Sequence, residues 1–259
     1  MEVHLFGFTT PPGHAFRKLF EKRYPCVKLY CYSRTCIDPS IYVVDLSRPE
    51  TFVFPGSLSD SSVFISFAPI WLFALFIKGL ININSRYRSS ISHILVCFSS
   101  STITKRYSFN EFDKSLSTLL ETSEKTLFNM ANDISGSCIV LRPSLVYGTS
   151  GEFSDRNLTM IRRIMRFLPF IPFPACSGLR QPIHSSQLAG IALYYTSRFI
   201  EHQSVIYLSQ TVGGNTIVSY LEMLRSYRQA LQANDAASRC RIIVIPRFIF
   251  YVLIFPLIF

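Results

Sequence analysis

The chain has 259 residues, enough for one large α/β domain or for one such domain with a small appendage. Hydrophobic residues make up 49% of it and charged residues only 16%, which excludes an intrinsically disordered protein because there is ample apolar surface to fold. The net charge of +10 suits binding to nucleotide phosphates or to an acidic membrane surface; the alternative is a generally basic surface with no special partner. The cationic residues are scattered and no RNA-binding motif accompanies them, so nucleic acid is not expected as a partner.

Short apolar segments predict six strands in the first part of the chain, at 1–6, 27–32, 41–44, 63–67, 93–98 and 137–141. Between them, helices are predicted over 14–23, from residue 69 to about residue 80, and over 111–132. Alternating strands and helices of this spacing indicate right-handed βαβ units. We therefore predict an α/β protein with a Rossmann-like, doubly wound parallel sheet. Ligands of such sheets bind at the carboxyl ends of the strands, where the short polar motifs of this chain lie.

The pattern loosens after Gly148. Helices are predicted over 156–167, 188–199 and 219–232, with a strand at 205–208 and a proline-rich link at 168–178. We assign 1–148 to the ligand-binding sheet domain and 149–259 to a small C-terminal substrate lobe intermixed with the last sheet elements.

Two apolar stretches are poor candidates for membrane spans. The stretch 63–77 is shorter than the ~20 residues that a span needs. The stretch 242–259 contains Arg247, and a charge near the bilayer centre costs roughly 2.5–3.5 kcal/mol on insertion scales. Its apolar end at Phe259 has three explanations: a truncated chain, a homodimer, or contact of 242–259 with a membrane surface.

The seven cysteines form no C-x-x-C pair and have no metal-binding spacing, so we expect reduced cysteines and no metal site. The N-terminus lacks a basic segment followed by an apolar one, so no signal peptide is predicted. We expect a cytoplasmic protein, peripheral to a membrane if its tail docks there.

The sequence GFTTPPG, at 7–13, joins the first strand to the first helix. A tight glycine turn at this position presents backbone N–H groups and the positive end of the helix dipole to a pyrophosphate. Gly7 would permit the turn and Gly13 the close packing of helix on strand, whereas Thr10 replaces a middle glycine. Pro11–Pro12 removes two donors. We predict a dinucleotide site here; the alternative is an ordinary turn.

The second strand ends at Ser33 and Arg34. An acidic residue there would bind the ribose hydroxyl of NAD, whereas an arginine suits the 2′-phosphate of NADP. Arg34 therefore favours NADP over NAD; the alternative is a surface arginine with no such role. Asp45 and Leu46 follow the third strand and are well placed to meet the adenine.

The order of the motifs resembles that of the extended short-chain dehydrogenase/reductase superfamily. Within it, the chain resembles the NAD-dependent epimerase/dehydratase family, which acts on nucleotide sugars. The motifs are GFTTPPG, then Asp45-Leu46, ISFAP (65–69), FSSS (98–101), LRPSLVYG (141–148) and GLRQPIH (178–184). The last two are the more specific, and the similarity covers nearly the whole chain.

The resemblance implies a role for each matching position. The residues implied to contact NAD or NADP are Gly7, Thr10, Gly13, Asp45, Leu46, Phe67, Ala68, Pro69, Pro143 and Ser144. Ser101 would hydrogen-bond the reacting sugar hydroxyl; the alternative is a serine that caps the strand end. Arg180 and His184 would contact the nucleotide part of the substrate.

One departure from the family pattern concerns proton transfer. The family uses a Tyr whose pKa is lowered by a Lys four residues later, on the helix after the serine strand. Counting back from residue 141 puts this pair at Leu116 and Leu120, and an alternative register gives Glu121 and Lys125. Neither register contains a tyrosine. Glu121 and Lys125 are either a replacement acid/base couple or an ordinary i,i+4 salt bridge.

Three hypotheses follow. The first is an atypical epimerase/dehydratase-type oxidoreductase that binds NAD or NADP and a nucleotide sugar. The second is a catalytically silent dinucleotide-binding or assembly protein. The third is a membrane-surface protein that uses its basic face and its apolar tail.

Overall fold

The computed structural model describes residues 1–35, 38–55, 61–99, 110–202, 205–246, 248–250 and 252. In chain order its elements are β1 (Glu2–Phe6), α1 (Pro11–Arg23), β2 (Leu29–Ser33), β3 (Ile41–Val43), β4 (Ser62–Ser66), α2 (Ile70–Ile83), α3 (Ser85–Ser90), β5 (Ile91–Cys97), α4 (Glu111–Asp133), β6 (Ser137–Pro143), β7 (Leu145–Tyr147), β8 (Thr149–Ser150), β9 (Phe153–Ser154), α5 (Arg156–Phe167), β10 (Phe170–Pro174), β11 (Leu179–Arg180), β12 (Pro182–His184), α6 (Ser185–His202), β13 (Tyr207–Val212), β14 (Val218–Ser219), α7 (Tyr220–Ala230) and β15 (Arg241–Ile245). Short 3-10 helices cover Pro49–Thr51 and Ala236–Arg239.

A seven-stranded sheet in the order β13-β6-β5-β4-β1-β2-β3 forms the centre of the fold. All its neighbouring strands are parallel. The strand order reverses at β1, which lies between β2 and β4 and aligns Val3 with Leu29 on one side and with Val63 on the other. The prediction of a Rossmann-like, doubly wound parallel sheet is confirmed.

Both faces of this sheet are buried, which explains why β1 and β4 have no exposed residue. One face packs an aromatic cluster against α2; Phe6 and Tyr32 stack at its centre, with ring centroids 4.6 Å apart. The other face packs against α1 and α6, with Phe16 and Phe199 fully buried. The packing of these two apolar layers holds the strands in place, and with them the loops that follow the strand ends.

The chain divides into two compact units. The first comprises Met1–Ser154 and Ile183–Gly213 and contains the seven-stranded sheet. The second comprises Asp155–Pro182 and Gly214–Phe259.

In the second unit, β10 and β15 pair in parallel, with Phe170 aligned with Arg241. Residues 170–174 were expected to belong to a proline-rich link, and that prediction was wrong. Prolines are tolerated in β10 because its sheet has only two strands, so each strand keeps one edge free of ladder hydrogen bonds.

None of the helices in the described ranges is long and apolar enough to cross a membrane. Much of the apolar tail, at 247, 251 and 253–259, lies outside the described residues. Among the residues that are described, no group of three or more His, Cys, Asp and Glu side chains is arranged to hold a metal ion.

Candidate functional site

Gly7 ends β1 and turns the chain toward α1 at the point where the strand order reverses. Its φ of +74° lies in the left-handed region that favours glycine. A Cβ at this position would lie 2.6 Å from the amide nitrogen of Ala68 and 2.8 Å from the carbonyl carbon of Phe67. The turn therefore packs directly on the segment that follows β4. Three residues predicted to contact the dinucleotide are thus brought together, while Pro69 is exposed beside them.

Thr10 fixes the shape of this turn. Its hydroxyl donates to the carbonyl oxygen of Gly7 at 2.7 Å and accepts a hydrogen bond from the Gly13 amide at 3.2 Å, which caps α1. A Cβ on Gly13 would lie 2.5 Å from the Gly7 carbonyl oxygen, so the helix starts close against the strand end. The threonine in place of a middle glycine thus stabilises the turn through its side chain.

The N-terminus of α1 offers few donors to a phosphate. Pro11–Pro12 occupies its first two positions and has no N–H, while the Gly13 and His14 amides both bond to Thr10. Within the described ranges, Thr9 makes no hydrogen bond through its amide or its hydroxyl. Thr9 is therefore the residue of this turn whose amide and hydroxyl donors are available.

Arg34 and Asp45 follow the neighbouring strands β2 and β3, and both are exposed. Hydrogen bonds from the Ser47 hydroxyl and amide, at 2.6 and 2.9 Å, hold the pKa of Asp45 below its usual range, with smaller contributions from the charges of Arg48 and Arg34. The two predicted cofactor residues are therefore near enough to interact. Leu46 is buried in the core beneath them.

Pro143 ends β6 and is buried, whereas Ser144 is half-buried and donates its amide hydrogen to the carbonyl oxygen of Val212 at 3.2 Å. Both residues thus lie at the carboxyl edge of the sheet, as Gly7 does. Ser101, the predicted contact of the reacting hydroxyl, lies outside the described residues.

The helix expected to supply the proton-transfer pair is α4. Leu120 is buried and Leu116 packs against the same core. Glu121 and Lys125 form an i,i+4 ion pair of 3.0 Å, in which the Lys125 side chain is 72% exposed. An exposed pair of this kind stabilises a helix by only about 0.3–0.5 kcal/mol. α4 therefore contains no tyrosine, and its Glu121–Lys125 couple is not buried.

Sequence reasoning missed a buried ion pair on the same helix. The Glu124 carboxylate accepts hydrogen bonds from Arg142 at 2.5 and 3.1 Å and from the Ser209 hydroxyl at 2.6 Å. Glu124 thus joins α4 to β6 through Arg142, which belongs to the LRPSLVYG motif, and to β13 through Ser209. Because the partners are 18 and 85 residues apart, no local pattern in the sequence could have indicated them.

Gly148 and His184, which end the two more specific motifs LRPSLVYG and GLRQPIH, lie in contact. Gly148 has a φ of +101°, and a Cβ there would overlap the His184 imidazole. Tyr147 packs edge-on against the same ring, with centroids 5.2 Å apart. Arg180 belongs to the second unit, where it is exposed and its guanidinium lies 5.9 Å from the centroid of the Tyr220 ring.

His14 is a further polar residue that the sequence did not single out. It lies in the first turn of α1, and its Nδ1 is 2.8 Å from the Ser150 hydroxyl in β8. Partial burial and, to a smaller extent, the charges of Lys18 and Arg17 lower its pKa. The lowered pKa favours the neutral imidazole, and the hydrogen bond to Ser150 fixes β8 against α1.

No protein-family model matches the sequence, and a search of the curated proteins found no match. Solved structures do match. UDP-N-acetylglucosamine 4-epimerase from Bacillus cereus is 14% identical, with 95% of this chain and 85% of that chain covered and a TM-score of 0.65. UDP-glucose 4-epimerase from Brucella ovis, in complex with NAD, is 14% identical over 95% of this chain and 86% of that chain, with a TM-score of 0.66. GDP-mannoheptose C4 reductase from Campylobacter jejuni, with NADP bound, is 13% identical over 95% and 88%, with a TM-score of 0.63.

At such low identity the likeness concerns the backbone, and it extends over both units of the chain. The expected resemblance to the extended short-chain dehydrogenase/reductases is confirmed at the level of the fold. The chain therefore adopts the Rossmann-like α/β fold that these nucleotide-sugar epimerases and reductases share.

Proposed function

We propose that this protein is an NAD(P)-dependent oxidoreductase of the nucleotide-sugar epimerase and reductase type. The observation that carries the proposal is the turn at Gly7, which packs against Phe67 and Ala68 where the strand order reverses. A dinucleotide would lie across this edge of the sheet. The likeness to enzymes whose structures hold NAD or NADP supports the same reading.

In this proposal the pyrophosphate lies on the Gly7 turn, where Thr9 supplies the donors that Pro11–Pro12 lacks. The adenine meets Asp45 and Leu46, while Arg34 is available for a 2′-phosphate. The ribose side is lined by Phe67, Ala68 and Pro69, and the nicotinamide by Pro143 and Ser144. Arg180 and His184 are proposed contacts of the nucleotide part of the substrate.

When bound, NAD(P) would supply the acceptor for a hydride from the carbon that carries a sugar hydroxyl, and the hydride would return to the resulting carbonyl carbon. The chain's own residues would orient that hydroxyl through Ser101 and keep water away from the cofactor with the buried side chains of Phe67 and Ala68. The proton of the hydroxyl has no tyrosine to accept it on α4, because Leu116 and Leu120 pack into the core there.

A second candidate is a catalytically silent dinucleotide-binding protein. The exposed Glu121–Lys125 pair favours it, because two solvated side chains bonded to each other are a poor acid/base couple. Under this alternative the cofactor site keeps its structure and the reaction is lost.

Binding and turnover measured on the same preparation separate the candidates. Isothermal titration calorimetry with NAD, NADP and their reduced forms measures binding of the cofactor. Incubation with a panel of UDP- and GDP-sugars measures conversion of the substrate. The oxidoreductase proposal predicts binding, together with conversion of at least one sugar. Binding without conversion of any sugar would leave the silent protein, and the absence of binding would exclude both.

The variant Gly7→Ala should abolish binding because the added Cβ collides with the segment after β4. Gly190→Ala, a substitution with open space around it, is its matched control and should bind like the wild type.

A further inference from the structure

The helix α5 in the second unit has an exposed face that combines apolar side chains with arginines. Met160, Ile164 and Phe167 follow one another at intervals of four and three residues, so they lie on one side of the helix. They are 60%, 42% and 86% exposed. Arg156 and Arg163, both exposed, lie on the same side because each is four residues from Met160 or Phe167. We refer to these five residues as the α5 face.

The opposite side of α5 is held inside the second unit. Leu158 and Met165 are buried there. Arg162 and Arg166 form ion pairs with the carboxylate of Asp235, and the Arg166 Nε lies 3.0 Å from it. The orientation of the helix is therefore set by its own contacts, and the α5 face is left outward.

The apolar surface continues beyond the end of the helix. Leu168 and Phe170 are 45% and 52% exposed. Phe170 is aligned across the β10–β15 ladder with Arg241, which is exposed. A further exposed cation thus lies beside the exposed ring of Phe170.

The second unit carries most of the net positive charge of the protein. It contains ten arginines, no lysine, and only Asp155, Glu222 and Asp235 as acidic residues, a net charge of +7 out of the +10 of the chain. Each of these carboxylates is engaged locally: Asp155 caps α5, Glu222 completes the capping box of α7, and Asp235 pairs with arginines. The arginines of the α5 face therefore give it a positive potential.

We propose that the α5 face docks on an anionic lipid surface. A cationic amphipathic helix lies in the membrane interface with its apolar residues at the boundary of head groups and acyl chains, and arginines beside them bind lipid phosphates. Phe167, the most exposed large side chain of the face, would enter the bilayer, while Arg156 and Arg163 would meet the head groups. Docking by these three residues does not require a bound dinucleotide, so this proposal is independent of the proposed function.

Co-sedimentation of the full chain with vesicles tests the proposal. We expect binding to phosphatidylcholine vesicles that contain phosphatidylserine, weaker binding at raised salt, and none to phosphatidylcholine alone. Phe167→Ser should weaken binding about tenfold because burial of its ring is lost. Arg163→Gln should weaken it about fivefold at low salt, because one cation near an anionic surface is worth about 1 kcal/mol.

Two matched controls come from the first unit. Phe112→Ser removes a phenylalanine that is 73% exposed on α4, and Arg198→Gln removes an exposed arginine on α6. Both should bind vesicles like the wild type, and all four variants should melt at the wild-type temperature because the sites are exposed. The proposal is overturned if the wild type does not bind anionic vesicles, or if the controls lose as much binding as the α5 variants. A dimer that Phe167→Ser dissociates, without vesicle binding, would instead identify the α5 face as a contact between copies.

Discussion

Gly7 and Ala68 approach so closely that no side chain fits between them, since a Cβ on Gly7 would lie 2.6 Å from the Ala68 amide nitrogen. The contact joins the ends of β1 and β4, where the strand order of the sheet reverses. Together with the positive φ of Gly7, it restricts this position to glycine.

Replacing Gly7 with alanine should therefore destabilise the protein. The left-handed backbone and the collision with Ala68 together predict a loss of about 1–3 kcal/mol in the free energy of unfolding. Urea denaturation measures it. Gly190→Ala, in α6 with nothing within 4 Å of the added Cβ, should instead stabilise the protein by about 0.5–1 kcal/mol. Equal effects of the two substitutions would contradict the account of the turn.

The prolines of the turn give a second prediction. Pro11→Ala or Pro12→Ala would add an N–H at the N-terminus of α1, where a pyrophosphate is proposed to lie. A hydrogen bond to a charged group is worth roughly 1.5–3 kcal/mol, so the dissociation constant for NAD(P) should fall by about tenfold or more in one of the variants. Titration calorimetry measures the change, with the exposed Pro25→Ala as control. Unchanged affinity in both variants would place the pyrophosphate away from α1.

His4 predicts a pH dependence of stability. It is fully buried in the aromatic cluster, its Nδ1 lies 2.9 Å from the Tyr32 hydroxyl, and burial lowers its pKa from 6.5 to about 3. Between these pH values the unfolded chain binds a proton that the folded chain does not. The free energy of unfolding should therefore fall by about 1.4 kcal/mol per pH unit as the pH drops below 6.5.

The variant His4→Phe tests this dependence by denaturation at pH 6.5, 5.5 and 4.5. Its free energy of unfolding should change less steeply with pH than that of the wild type, with a slope smaller by about 1.4 kcal/mol per pH unit. His93, whose pKa is lowered to about 4 by burial, keeps a similar slope in both proteins. Parallel curves for the variant and the wild type would show that His4 is protonated in the folded state.

Two glutamates on α4 provide an internal comparison. Glu124→Gln breaks the buried pair with Arg142, for which a cost of about 3–5 kcal/mol is typical. Glu121→Gln breaks the exposed pair with Lys125 and should cost at most about 0.5 kcal/mol. Thermal denaturation of both variants measures the difference. If Glu121→Gln instead removes an enzymatic activity without loss of stability, the pair has a catalytic role after all.

Local patterns were sufficient to predict most elements of the sheet domain. Buried parallel strands are short continuous apolar runs, so β1 and β4 were predicted to within a residue or two at each end. α5 was predicted with its observed bounds, Arg156–Phe167, because its apolar residues recur at helical spacing. The start of α1 was predicted three residues late, since Pro11–Pro12 reads as a turn although proline suits the first positions of a helix.

What could not be predicted depends on contacts between distant parts of the chain. The pairing of β10 with β15 brings together segments about 70 residues apart, and the prolines of β10 argued against a strand. The bond between His14 and Ser150 spans 136 residues. The close approach of Gly7 to Ala68 follows from the register of β1 with β4, which sequence spacing does not fix.

The most direct test of the central claim is the thermal unfolding of the full chain with NAD, NADP, NADH and NADPH. A ligand at 100 times its dissociation constant adds about 2.7 kcal/mol of stability, which for a chain of this size raises the melting temperature by roughly 5–10 °C. We predict such a rise with at least one of the four dinucleotides, larger for the phosphorylated forms if Arg34 binds a 2′-phosphate. An unchanged melting temperature with all four at millimolar concentration would contradict dinucleotide binding at the Gly7 turn.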